Sequence, residues 1–193
     1  MEFKDLVRRR RSCRAYAETA VTEAQLEAVL KAAAWAPSPL NLQPWQFIVI
    51  TDPITRKRIR EAGEEARRSV VDQNGPAWVV KYAVNFIAEA PVLIAVVVDP
   101  TKGGLGEYFG QRHGALQAAS ACIQNMMLAA TDQGLGSLWF TFFSPEKVKA
   151  VLDIPDHLEL AGIVPLGIPT GGLKAPPRKE LVVFREKYGN TDA

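Results

Sequence analysis

Arg10, Ser12 and Arg14 alternate within the run Arg8-Arg9-Arg10-Arg11-Ser12-Cys13-Arg14. In an extended backbone alternate side chains share a face, so two guanidiniums and a hydroxyl point the same way. That set suits a phosphate, because arginine donates in a bidentate fork and serine adds a short hydrogen bond. Taken alone, the run also reads as a solvated basic stretch favoured by the dipole of a preceding helix. A second group lies in Ala36-Pro37-Ser38-Pro39-Leu40-Asn41-Leu42-Gln43-Pro44-Trp45. Its three prolines force a turn and lower the entropy of ordering it, leaving Ser38, Asn41 and Gln43 as polar groups on a rigid corner. Amide and hydroxyl groups held this way suit a flat, heteroatom-rich ring. In isolation the same corner reads as a proline-rich loop capped by a core tryptophan.

Both groups need elements to hold them. Phe3, Leu6 and Val7 share a face of a short amphipathic stretch before the basic run. Thr22 and Gln25 form a capping box that opens a helix, which Leu26, Val29, Leu30 and Ala33 carry to about Trp35. Trp45-Gln46-Phe47-Ile48-Val49-Ile50 reads as a buried strand. Asp52-Pro53 launches a charged helix through about Arg68, and Asn74-Gly75-Pro76 ends it. Residues 77–89 are expected to be helical, and residues 92–98 to be a strand. Glycines 103, 104 and 106 mark a flexible loop. A long helix follows, with Leu116, Ala119, Ile123, Met127 and Ala130 on one stripe and Gly134 as its C-cap. Residues 137–143 look strand-like, Ser144-Pro145 caps a short helix to about Leu152, and residues 160–166 form the last inner strand. Helices with four irregularly alternating strands predict one mixed α/β domain spanning residues 1–193. The Gly- and Pro-rich segment 170–193 has little core of its own and is expected to lie on a neighbouring chain.

Composition narrows the chemistry. The 193 residues allow a core burying roughly 70% of the unfolded surface. The formal net charge of +2 gives no global field for nucleic acid. No secretory leader or membrane-spanning run is visible, so a cytoplasmic protein is expected. Cys13 and Cys122 are isolated, and Cys122 lies on an apolar helical pattern, which indicates packing. His113 and His157 lack metal-ligand spacing. Phosphate-loop, GxSxG and dinucleotide-binding patterns are absent, since Gly134-Leu135-Gly136 ends a helix instead of opening one. With no protein acid, base, nucleophile or metal site, the reactive group is expected to be a cofactor.

In their order along the chain these segments resemble the FMN-dependent nitroreductase family. Arg10-Arg11-Ser12-Cys13-Arg14 is similar to its N-terminal arginine-serine motif. Ala36-Pro37-Ser38 with Asn41 and Gln43-Pro44-Trp45 is similar to its second block, Gly134-Leu135-Gly136-Ser137 to its third, and Gly167 with Arg178 to its end. The resemblance runs from about residue 6 to about residue 185. It implies an α+β fold, a three-layer α/β/α sandwich around a mixed, mostly antiparallel sheet, assembled as a homodimer with FMN at the subunit interface. NAD(P)H would be the co-substrate of a ping-pong reaction, and a small electron-poor acceptor such as a nitroaromatic or quinone would be reduced. Arg10, Arg11 and Ser12 would hold the phosphate or ribityl chain, with Arg14 toward the pyrimidine edge. Pro37, Ser38, Asn41 and Gln43 would border the flavin from the other subunit. Trp139, Phe140, Thr141 and Phe142 would run along the ring, a Thr141 or Phe142 backbone N–H lying near N5. Arg178, with Lys179, would complete the phosphate site. A non-catalytic FMN carrier or sensor, or a flavin-destructase or reductive dehalogenase on the same fold, are the alternatives.

The chain departs from the family pattern in three places. Pro39 stands where a small or hydroxylated residue is common, which removes one backbone donor. Thr141 occupies a region where some members carry an acid. Only a modest lid fits between Arg68 and Trp78, so the expected pocket is open and lined by Trp139, Phe140 and Trp78.

Overall fold

The computed structural model describes residues 1–173 and 175–190; Lys174 and residues 191–193, inside the expected tail, lie outside them. Helices α1 (Phe3–Arg9) and α2 (Glu23–Ala34) precede strand β1 (Trp45–Ile50). Helices α3 (Pro53–Asp72) and α4 (Phe86–Glu89) lead to β2 (Val92–Val98). The chain continues through α5 (Gly114–Asp132), β3 (Gly136–Ser137), α6 (Pro145–Val151) and β4 (Glu159–Gly167).

The four strands form one sheet in the order β1-β2-β4-β3, and every neighbouring pair is antiparallel. The one parallel contact among the isolated bridges joins Ser12 to Ser137 at the β3 edge. All seven residues of β2 are buried. Val92, Ile94, Val96 and Val98 face the layer of α2 and α5, where they meet Leu26, Val29, Ile123 and Met126. Leu93 and Ala95 face the layer of α3, α4 and α6 through Ile59, Phe86, Ile87 and Val148. Both faces are therefore covered, and an uninterrupted apolar run serves where a one-sided strand would alternate. This is the expected three-layer α+β sandwich.

Local chemistry sets the ends of the elements. Thr22 Oγ1 accepts from the Gln25 N–H at 3.3 Å while Gln25 Oε1 accepts from the Thr22 N–H at 3.0 Å, closing the capping box at α2. Asp52 Oδ2 accepts from the Thr55 N–H at 2.8 Å at the start of α3. Gly134, with φ +73°, releases the chain from α5 into β3.

Four local expectations are corrected. β1 pairs only with β2, so it is an edge strand with Gln46 and Val49 exposed, not a buried one. Residues 77–89 are not one helix: Ala77–Lys81 make a 3₁₀ segment and four residues intervene before α4. Residues 138–143 are irregular, because Gly136–Ser137 alone pair as β3 while Phe140 makes an isolated bridge to Ile163. Leu116 leaves the buried stripe of α5, being 38% exposed.

Candidate functional site

The basic segment is zipped into the β3 edge. Ser12 bridges Ser137, and the Cys13 N–H donates to the Ser137 carbonyl at 2.9 Å. Further on, the Ala17 N–H donates to the Ile168 carbonyl, and the Thr170 N–H to the Ala15 carbonyl. Tyr16, buried beneath, donates from its hydroxyl to the Cys13 carbonyl at 2.9 Å, and burial pushes that hydroxyl's pKa upward. Gly136 makes the close approach possible: a Cβ there would fall 2.6 Å from Cys13 Sγ. Alternate residues of a segment tied in this way diverge, so Cys13 enters the core while Ser12 and Arg14 stay exposed.

Three guanidiniums gather at this anchor. Arg10 is half-buried, and its pKa is lowered first by that burial and then by the charges of Arg11 and Arg178. Arg11 Nη1 donates to the Arg10 carbonyl at 2.6 Å. Among the described residues, none of Arg10, Arg11, Arg14 or Arg178 makes an ion pair with a carboxylate. Like charges held together without counter-charges call for an anion. Lys179, also a candidate, is exposed and is not among the charges acting on Arg10.

Beyond β3 the chain offers donors. The Ser137 hydroxyl is buried and has no hydrogen-bond partner among the described residues. The Thr141 and Phe142 backbone N–H groups find no acceptor among the described residues, and Thr141 is exposed. Trp139 is half-buried and donates Nε1–H to the Ala161 carbonyl at 3.1 Å, its ring lying over Gly162. Phe140 corrects the expected pocket lining. It is 1% exposed, its N–H and carbonyl both bond to Ile163, and its ring meets Phe86 and Phe143 in the core.

The aromatic wall beside these donors is instead built from Trp78, Tyr82 and Phe142. Ring centroids lie 5.7 Å apart for Trp78–Tyr82, 6.2 Å for Trp78–Phe142 and 5.5 Å for Tyr82–Phe142. The Arg14 guanidinium sits 5.7 Å from the Tyr82 ring centroid. Tyr82 was not visible as a site residue in the sequence, because the segment around it read as helix. The adjoining segment is tied to α3 by Arg67, which binds Glu64 at 2.6 Å and donates to the Val80 carbonyl at 3.1 Å.

The proline corner is strained. Leu40, Asn41 and Gln43 all adopt left-handed φ, at 50°, 55° and 44°. Such a conformation is costly for Leu40, at roughly 1–2 kcal/mol. Four local bonds hold it: the Asn41 N–H donates to the Ser38 carbonyl at 3.1 Å, the Leu42 N–H to the Pro39 carbonyl at 2.9 Å, the Gln43 N–H to Ser38 Oγ at 3.1 Å, and Gln43 Nε2 to Asn41 Oδ1 at 3.1 Å. Pro39 lies against Gly104, where a Cβ would come within 2.6 Å of the proline Cβ. Pro37, Asn41 and Gln43 are exposed, and Ser38 is half-buried.

Within one chain the corner does not meet the arginine cluster. The corner enters β1 at Trp45, which pairs with Val98, whereas Ser137 pairs with Leu166 and, across β4, lies level with Val92. The two groups thus occupy opposite edges and opposite ends of the sheet. Three strand spacings of about 4.8 Å and six residues of about 3.4 Å give a diagonal of about 25 Å. Among the described residues no cluster of His, Cys, Asp and Glu suits a metal. No described helix is long and apolar enough to cross a membrane.

Comparison with known proteins identifies the family and the fold. The nitroreductase family model matches residues 7–168. The chain belongs to the nitroreductase family. An NADH dehydrogenase of Thermus thermophilus is 32% identical over 186 residues, covering 88% of this chain and 87% of that protein. Iodotyrosine deiodinase 1 of Sus scrofa is also 32% identical, over 93% of this chain and 66% of its own length. An iodotyrosine deiodinase crystal structure, bound to FMN and 3-iodo-L-tyrosine, shares the fold with a TM-score of 0.84 at 23% identity. That match covers 97% of this chain and all of the other.

Proposed function

We propose that this nitroreductase-family chain is an FMN-dependent oxidoreductase that uses NAD(P)H to reduce an electron-poor planar acceptor, a nitroaromatic, quinone or similar molecule. The observation that carries the reading is the unpaired cluster of Arg10, Arg11 and Arg178, anchored beside free backbone donors. A phosphate would neutralise the cluster. Ser12 lies beside it for the ribityl chain, and Arg14 at the aromatic wall would face the pyrimidine edge. FMN held by these residues would supply the redox chemistry, two-electron transfer from NAD(P)H to the acceptor. The chain's part is to position and polarise. Arg14 would favour negative charge at the pyrimidine edge, and the Thr141 or Phe142 N–H would orient the ring through N5. Trp139, two residues past β3, would support the ring. This reading assigns no side chain the role of proton donor or nucleophile.

The diagonal separation of the two groups supports a homodimer. Two copies related by a twofold axis would bring the corner of one, with Pro37, Ser38, Asn41 and Gln43, to the arginines of the other. The helical layer that carries the corner exposes Phe3, Val7, Trp35, Leu40 and Phe109 between 45% and 86%, surface that such a dimer would cover. Leu181, Val182 and Val183 of the tail are also exposed, at 91%, 77% and 59%, as an apolar run awaiting a second chain would be.

Anaerobic titration tests the function. The purified protein should be yellow, should be bleached by NADH or NADPH, and should recover its colour when nitrofurazone or menadione is added. A colourless preparation that takes up no FMN refutes every flavin reading. A yellow protein that neither nucleotide bleaches indicates the carrier or sensor. The deiodinase relatives give the dehalogenase reading a specific footing, and halide release from a halogenated phenol by the reduced protein would replace the nitroreductase assignment.

A further inference from the structure

We infer that Tyr82 is a positioning residue that aims Arg14 at the cofactor and joins residues 77–85 to the flavin site; this rests on the flavin reading above. Arg14 has no carboxylate partner among the described residues and is exposed, so nothing of opposite charge fixes its long side chain. What it does have is the face of Tyr82, 5.7 Å from guanidinium to centroid, within the range of a cation–π contact. The Tyr82 ring is itself held on two sides, edge-on to Phe142 at 5.5 Å and 79° to Trp78 at 5.7 Å. Its backbone is fixed as well, since the Tyr82 N–H donates to the Val79 carbonyl at 3.1 Å. Arg67 ties the neighbouring Val80 carbonyl to α3.

These contacts form a physical chain from α3 through residue 80 and Tyr82 to Arg14 on one branch, and to Phe142 on the other. Phe142 carries one of the two free N–H groups of the site, so one ring braces both the cation and the donor strand. The Tyr82 hydroxyl makes no hydrogen bond among the described residues, which leaves the ring face as the working part. A cation fixed on a ring loses less side-chain entropy when it then meets an anionic edge, so bracing favours the reduced, more negative flavin over the oxidised one.

The test is a series at position 82 in the full-length protein: Tyr82→Phe, then phenylalanines of rising fluorine content, which keep the ring's shape and drain its quadrupole. Fluorescence titration gives FMN affinity, and spectroelectrochemistry gives the midpoint potential. Tyr82→Phe should match the wild type within twofold. Across the fluorinated series FMN affinity should fall in steps to two- to fivefold below wild type. A fivefold preferential loss for reduced flavin corresponds to a potential about 20 mV more negative, at ~29.6 mV per tenfold for a two-electron couple. In an Arg14→Gln background the series should be flat. A flat series in the wild-type background, with FMN bound and reduced normally, overturns the role of Tyr82 and leaves the flavin reading intact. Failure of the wild-type protein to bind FMN overturns the flavin reading itself.

Discussion

Arg10→Ala should separate the phosphate from the rest of the cofactor. Arg10 is half-buried, acted on by the charges of Arg11 and Arg178, with no carboxylate partner among the described residues, so its removal has two consequences of opposite sign. With phosphate bound, the variant loses a charge-assisted hydrogen bond worth about 1.5–3 kcal/mol. That is roughly a 10- to 150-fold rise in the FMN dissociation constant, at about 1.4 kcal/mol per tenfold. Without phosphate, the variant relieves repulsion between crowded guanidiniums, so the flavin-free protein should unfold at the same or a slightly higher urea concentration. Titrating apoprotein with FMN and with riboflavin, which lacks the phosphate, isolates the difference. FMN should weaken by the stated factor, while riboflavin should change by less than about twofold on the same scale. Equal weakening of both ligands, or unchanged FMN affinity, would refute the phosphate clamp.

Other perturbations bear on the scaffold. Gly136→Ala places a Cβ 2.6 Å from Cys13 Sγ and 2.8 Å from its Cβ, so the strap carrying Arg10 to Arg14 must shift; stability should fall by about 1–3 kcal/mol in denaturant melts, with FMN lost as well. Trp35→Glu puts a charge on a residue 86% exposed in the single chain and buried in the proposed dimer. Sedimentation should show dimer affinity reduced at least 100-fold, from a cost of about 3 kcal/mol for a buried unpaired charge; an unchanged dimer would place the interface elsewhere. Burial pushes the Cys122 thiol up to about 12 from 9.0, so the folded state keeps a proton that the unfolded chain releases. Its contribution is complete below pH 9 and is lost as pH rises toward 12. At pH 10 the loss should be about 1.4 kcal/mol, absent from Cys122→Ala in urea melts.

Much of the fold was legible because local and global signals agreed. The capping box at Thr22, the Asp52-Pro53 start and the apolar run at residues 92–98 each have one satisfactory structure, and each formed it. α3 overran its expected end by four residues, to Asp72, because nothing before Asn74 breaks a helix. Segments without such signals were misread. Trp78, Val79 and Tyr82 mimic helical spacing, yet their contacts with Phe142 and α3 hold a 3₁₀ segment and an extended stretch. Phe140 looked like an exposed aromatic in a strand, but a single bridge to Ile163 turns it into the core. In the site, Ser12 and Arg14 are exposed on either side of buried Cys13, as alternation expects, whereas Arg10, expected on the same face, is half-buried at the C-cap of α1. Arg178 reaches Arg10 across the fold, and only the family resemblance anticipated that. Of the left-handed residues at 40, 41 and 43, Asn41 is of a type that favours that region, while Leu40 and Gln43 carry no such signal.

The strain at that corner bears on assembly. Residues in left-handed conformations persist when their surroundings over-determine them; in one chain the corner is held by its own turn bonds, by the Asp99 N–H donating to the Pro44 carbonyl, and by the contact of Pro39 with Gly104. Its polar side chains are exposed or half-buried, and its entry into the sheet at Trp45 lies about 25 Å along the diagonal from Ser137, where the arginine strap is anchored. An interface that seats the corner against a second copy's flavin would add restraints and bury the apolar surface around it at once. Cofactor binding and dimerisation then become one linked equilibrium: each site filled at 100 times its dissociation constant adds about 2.7 kcal/mol to the assembled state. On this account the proline-rich corner is rigid for the partner's benefit, and the arginine strap is anchored to β3 so that it meets the corner at a fixed place.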